Sequence, residues 1–210
     1  MSAQVLTLEL PALQAVPLSE QNPEGRLTEI ARLASGAQLS LAVSCVACAQ
    51  ARGEPTAWLQ LEGGSLFPPD LADSGVDLDA LLVVHVPAAA GQAGLCKAAE
   101  LLLRSGGLGL VVIDLVGAGS GSGSDLQLQV QSRLLGLARE HHCAVLLLSD
   151  FAGQRGRQGS LGPLVGLCIE PHRQRVGRGA FRIEPRARKD KSGSLCALAV
   201  EPRRAPWGLL

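Results

Sequence analysis

From Gly25 onward, short and almost unbroken apolar runs alternate with longer segments of mixed apolar and polar residues. Residues 27–30, 56–61, 81–86, 108–116 and 144–148 read as strands. Residues 39–52, 93–104 and 126–141 read as helices between them, the second stopped by Gly106-Gly107. A shorter helix is expected within residues 66–74, around Pro68-Pro69. Strands that are apolar on both faces and alternate with helices predict an α/β fold, with a mostly parallel central sheet flanked by helices. After Asp150 the rhythm changes. Residues 164–170, 180–185 and 195–201 read as strands without long helices between them, which predicts antiparallel pairing at one sheet edge.

Residues 1–24 stand apart. Gln4-Val5-Leu6-Thr7-Leu8-Glu9-Leu10 alternates and Pro11 stops it, which fits either an edge strand or a mobile arm. Between the fourth strand and the helix that follows, Gly117-Ala118-Gly119-Ser120-Gly121-Ser122-Gly123-Ser124 lies where a dinucleotide-binding turn would lie. Its glycines do not follow G-x-G-x-x-G, so the composition is that of a flexible linker.

Composition narrows the chemistry. Of 210 residues, 47% are hydrophobic and only 2% aromatic, with no Tyr, so the core is built from Leu, Val, Ala and Ile. So few aromatics leave little platform for stacking bases, and any contact with nucleic acid is expected through phosphates. The net charge of zero hides a division: 7 basic against 15 acidic residues through Asp150, then 12 basic against 4 acidic. An acidic body with a basic face suits an anionic partner. The six cysteines include Cys45-Val46-Ala47-Cys48, without a second such pair or a histidine pair at zinc-finger spacing. Buried, reduced cysteines and no metal site are the expectation. No secretory signal opens the chain and no apolar run approaches the roughly 20 residues that span a bilayer, so a cytoplasmic protein without membrane contact is expected.

Ser35-Gly36-Ala37-Gln38 falls between a strand and a helix, where a phosphate-binding loop would sit. Such a loop reads G-x-x-x-x-G-K-[ST], its lysine on the β and γ phosphates and its hydroxyl on magnesium. Here the lysine position is Ala37, the hydroxyl position is Gln38, and Ala31 stands where the first glycine belongs.

Three segments together resemble the RecA-like recombinase fold over roughly residues 25–150. They are Gly25-Arg26-Leu27-Thr28-Glu29-Ile30, then Gly75-Val76-Asp77-Leu78-Asp79-Ala80-Leu81-Leu82 with Pro87 beyond it, and Arg104-Ser105-Gly106 followed by Leu110-Val111-Val112-Ile113-Asp114. Residues 181–194 more weakly resemble the strand after the second DNA-binding loop of RecA. The resemblance implies one RecA-like domain over residues 25–201, preceded by an arm and followed by a tail at 202–210. It implies that Asp114 matches the Walker B aspartate and Glu62 the carboxylate that activates water. Asp150 falls where RecA has a nucleotide-sensing glutamine. Asp150 is thus a departure, and with Glu62, Asp114 and Asp150 present and the lysine gone, a triphosphate would meet an acidic pocket without its main cation.

A short chain with a degenerate loop looks most like the ImuA proteins, RecA-like accessory factors of damage-induced (SOS) mutagenesis. That resemblance implies a nucleoid-associated adaptor without ATP hydrolysis or a cofactor. Its partners would be RecA and an ImuB-type relative of the Y-family polymerases, in support of translesion synthesis. An atypical ATPase and a SulA-like cell-division inhibitor are the competing expectations.

Arg182, Arg186, Arg188, Lys189 and Lys191 cluster in one basic segment, and Arg155 and Arg157 lie where the second DNA-binding loop would be. Phosphates, the acidic face of a protein partner, or a solvated hairpin tip around residues 189–193 would each account for them. Trp207, one of two tryptophans, is either a partner anchor or folded back on the body.

Overall fold

The computed structural model describes residue 18 and residues 24–32, 37–118, 126–150, 160–178 and 180–191, together with the backbone of 201–204. Most of the N-terminal arm, Ser35, Gly36, the 119–124 part of the Gly/Ser run, Arg155, Arg157, Cys196 and Trp207 lie outside the described residues.

Eight strands form a single sheet in the order β3-β2-β4-β5-β1-β6-β7-β8. They are β1 (Leu27–Arg32), β2 (Thr56–Leu61), β3 (Leu81–Val86), β4 (Leu110–Asp114), β5 (Ala144–Asp150), β6 (Leu167–Gly177), β7 (Ala180–Asp190) and β8 (Glu201–Arg204). All neighbours from β3 through β6 are parallel, whereas β6–β7 and β7–β8 are antiparallel. The expected α/β class and antiparallel edge are therefore present.

Helix α1 (Gln38–Ala51) lies on one face, with the short α2 (Pro68–Asp73). Helices α3 (Gly91–Leu103) and α4 (Leu128–Glu140) lie on the other. Because side chains alternate along a strand, each central strand feeds both faces. Ile30, Trp58, Val112, Leu146 and Leu148 join the core beneath α1. Leu27, Leu59, Ile113, Val145 and Leu147 join the core beneath α3 and α4. Of the cysteines, Cys45, Cys96, Cys143 and Cys168 are buried and outside any disulfide, and burial pushes the Cys96 thiol up to about 11. No described helix is long and apolar enough to cross a membrane.

The hairpin departs from expectation. Strands β6 and β7 each run 11 residues, well past the expected ends at Glu170 and Pro185. Pro171 and Pro185, at the ends of those expected runs, cannot donate to a ladder. In the structure they stand opposite each other, so both missing donors fall at one rung. Strand β6 pairs with β1 only through residues 167–169. The distal half of the hairpin, up to Gly177 and from Ala180, therefore projects past the end of β1. The last strand begins at Glu201, where the expected strand over 195–201 ends; residues 192–200 are outside the described set.

Candidate functional site: a self-satisfied crevice and a basic hairpin

In parallel sheets covered on both faces, ligands bind beyond the carboxyl ends of the strands. Here β4, β5 and β1 are adjacent, and they end at Asp114, Asp150 and Arg32. Alternation from Val112, Leu148 and Ile30 places all three on the α1 side. The first turn of α1 closes the crevice.

Ala37 is the residue before α1, 1% exposed and without a side chain to cap the helix. Gln38 is buried, and its Nε2 donates to the carbonyl oxygens of Ile30 and, at 3.0 Å, of Ser149. The side chain at the magnesium-holding position thus fastens the ends of β1 and β5 together. An amide N–H donates hydrogen bonds and has no lone pair for a cation.

Asp114 is 6% exposed, and its Oδ1 accepts from the Val116 N–H at 3.0 Å. Burial raises its pKa above the ordinary value, opposed by that hydrogen bond and by the charge of Arg32. Arg32 Nη1 stands 3.7 Å from Asp150 Oδ2, with both side chains partly exposed. The lysine position stays without charge, but a different cation stands at this end of the sheet. Arg32 supplies it, from β1 itself. The sequence carried that signal, since Arg32 follows Ile30 by two residues and so shares its face.

Glu62 is exposed in the turn after β2, its N–H donating to the Val86 carbonyl at 2.9 Å. The buried polar residue at the end of β2 is Gln60 instead, 2% exposed and 3.5 Å from His85 Nδ1. Among the described residues, no group of three or more His, Cys, Asp or Glu side chains could hold a metal ion. Ala37 offers no charge, the Gln38 NH2 is committed to two strand carbonyls, and the Asp114 carboxyl is desolvated. The described part of the crevice does not fit a magnesium triphosphate.

A second buried acid escaped the sequence reading. Glu29, in β1, is 0% exposed. Its Oε1 accepts from the Ser149 hydroxyl at 2.6 Å and its Oε2 from the Leu161 N–H at 2.7 Å. One carboxyl thereby joins β1, the end of β5 and the segment entering β6. Burial raises its pKa, while those two bonds, a bond from Cys168 and the charge of Lys189 oppose the rise.

The basic segment divides. Lys189 Nζ donates to Ser160 Oγ at 2.7 Å and to the Gly162 carbonyl at 2.9 Å. Lys191 Nζ donates to the Pro163 carbonyl. These lysines hold the 160–163 segment, at the end of the β6–β7 hairpin away from its turn; residues 192–193 of the expected tip lie outside the described residues. Arg186 pairs with Glu184 at 3.3 Å, and Arg188 with Glu170 at 3.3 Å. The distal half differs. Arg173 lies over the Phe181 ring, 5.0 Å from its centroid. Arg175, Arg178 and Arg182 are exposed there.

Comparison with known proteins agrees with this architecture. RecA of Kineococcus radiotolerans is 41% identical over 96 residues, 46% of this chain and 26% of that protein. RecA of Clostridioides difficile is 38% identical over 96 residues, with the same shares. The match thus spans about a quarter of these relatives' length. The crystal structure of the RadB recombinase superposes with a TM-score of 0.62 at 14% identity, covering 87% of this chain and 88% of that one, a likeness of fold. The RecA N-terminal domain model matches residues 12–146, more than half of the sequence, and the chain belongs to that family.

Proposed function

We propose that this chain is a non-hydrolysing RecA-like adaptor of the DNA-damage response. It binds RecA and an ImuB-type relative of the Y-family polymerases, and so supports translesion synthesis during SOS mutagenesis. The observation that carries this reading is Gln38, whose amide is bonded to the Ile30 and Ser149 carbonyls where an ATPase would hold magnesium. Work then falls to the surface, and the exposed arginines of the distal hairpin suit phosphates or an acidic partner. Pull-down of tagged full-length chain with RecA and with the polymerase relative is the test. Retention of both supports the adaptor; retention of neither by a folded protein contradicts it.

Arg32 favours a second reading, an atypical ATPase in which it replaces the missing lysine. ATP turnover that disappears in Glu62→Gln would establish that reading in place of the adaptor.

A further inference from the structure

At the opposite end of the strands, the carboxyl end of α1 and the amino ends of β2 and β3 enclose a groove of about 820 Å³. Its wall is apolar, from Ala47, Ala51, Pro55, Leu81, Leu82 and Leu108. Its rim carries Glu54, Asp77 and Asp79, and none of its described lining residues is Lys or Arg. Arg52 neutralises Glu54 at 3.0 Å, so Asp77 and Asp79 hold the net charge. Helix α1 ends here, with Arg52 at its C-cap already paired to Glu54. Leu82 remains 48% exposed at the mouth. Such a groove fits a segment with an apolar body and cationic flanks.

The opposite corner of the molecule has that chemistry. Strand β8 pairs with residues 180–183 of β7, in the projecting half of the hairpin. Exposed Arg175, Arg178 and Arg182 surround this corner. The sequence of β8 ends in Arg203-Arg204 and continues as Ala205-Pro206-Trp207-Gly208-Leu209-Leu210. The groove on the same chain is out of reach. Six strand spacings separate β2 from β8, about 29 Å at the usual interval. Trp207 follows Arg204 by three residues, which span at most about 11 Å.

We infer that the groove of one copy receives the Trp207 segment of a second copy, with the arginine corner facing Asp77 and Asp79. The contact joins different surfaces on the two copies, so it is heterologous. Trp207 is the anchor, and the charges set orientation and salt dependence.

A fluorescein-labelled peptide of residues 201–210 titrated into the full chain tests this by anisotropy, alongside sedimentation velocity over a range of concentrations. Saturable binding is expected, weakened about tenfold or more by Trp207→Ala in the peptide. Asp77→Asn with Asp79→Asn in the protein should weaken it too, with unchanged circular dichroism. The full chain should sediment faster as concentration rises, and Trp207→Ala should remove that dependence. A chain that stays monomeric at every concentration overturns the inference, as does peptide binding indifferent to the aspartates. Peptide binding that appears only after deletion of residues 1–17 would assign the groove to the chain's own N-terminal segment, and also overturns it.

Discussion

At the carboxyl ends of β1 and β5, polar side chains are committed to their own chain. Gln38 holds two strand carbonyls, Glu29 holds a hydroxyl and an N–H, and Arg32 faces Asp150. Along the distal hairpin, Arg175, Arg178 and Arg182 face water. The difference lies in what removal would cost. A buried donor or acceptor left unpaired loses its solvation outright, whereas an exposed cation returns to water. Polar groups of the crevice therefore serve stability first, and those of the hairpin are available for a partner.

Substitutions should separate the two regions by magnitude. Glu29→Leu strands the Leu161 N–H and the Ser149 hydroxyl and should cost about 3 kcal/mol in urea unfolding. A loss under about 1 kcal/mol would erase the contrast with the hairpin. Gln38→Leu leaves the Ile30 and Ser149 carbonyls without that donor and should cost about 2 kcal/mol by the same measurement.

Acid–base behaviour sharpens the comparison. Burial raises the folded-state pKa of Glu29 and Asp114 above their ordinary values. Between the ordinary and the raised value the folded chain holds protons that the unfolded chain has released. The stability contribution of these groups therefore falls as pH rises through that window. Glu29→Gln does not titrate, can accept the Leu161 N–H through Oε1 and donate to the Ser149 hydroxyl through Nε2, and should flatten the fall measured by urea unfolding across acidic pH. The smallest effect belongs to the hairpin: Arg182→Ala should change stability by no more than about 0.5 kcal/mol. It should instead lower binding to a labelled single-stranded oligonucleotide or acidic partner, and reduce the salt slope by about 1 for a phosphate contact.

Much of this arrangement was legible from residue types. The parallel strands showed as apolar runs because both of their faces are buried. Ala37 and Gln38 announced an altered loop because a phosphate site needs a cation and a hydroxyl at those positions. The use made of Gln38 was not legible, since its acceptors Ile30 and Ser149 lie 8 and 111 residues away. Glu29 hid for the same reason: it sits inside a strand and meets Ser149 and Leu161 only through the fold. The length of the hairpin was not legible, since residues 164–170 and 180–185 read as shorter strands than β6 and β7. Their true register is set by pairing across the ladder, with Cys168 opposite Lys189.

The crevice makes the sharpest demand. Titration calorimetry of the full chain with ATP and magnesium should give no saturable heat, because Gln38 and Asp114 offer no competent metal site and Ala37 no charge. Saturable binding accompanied by ATP turnover would contradict an adaptor that works without nucleotide.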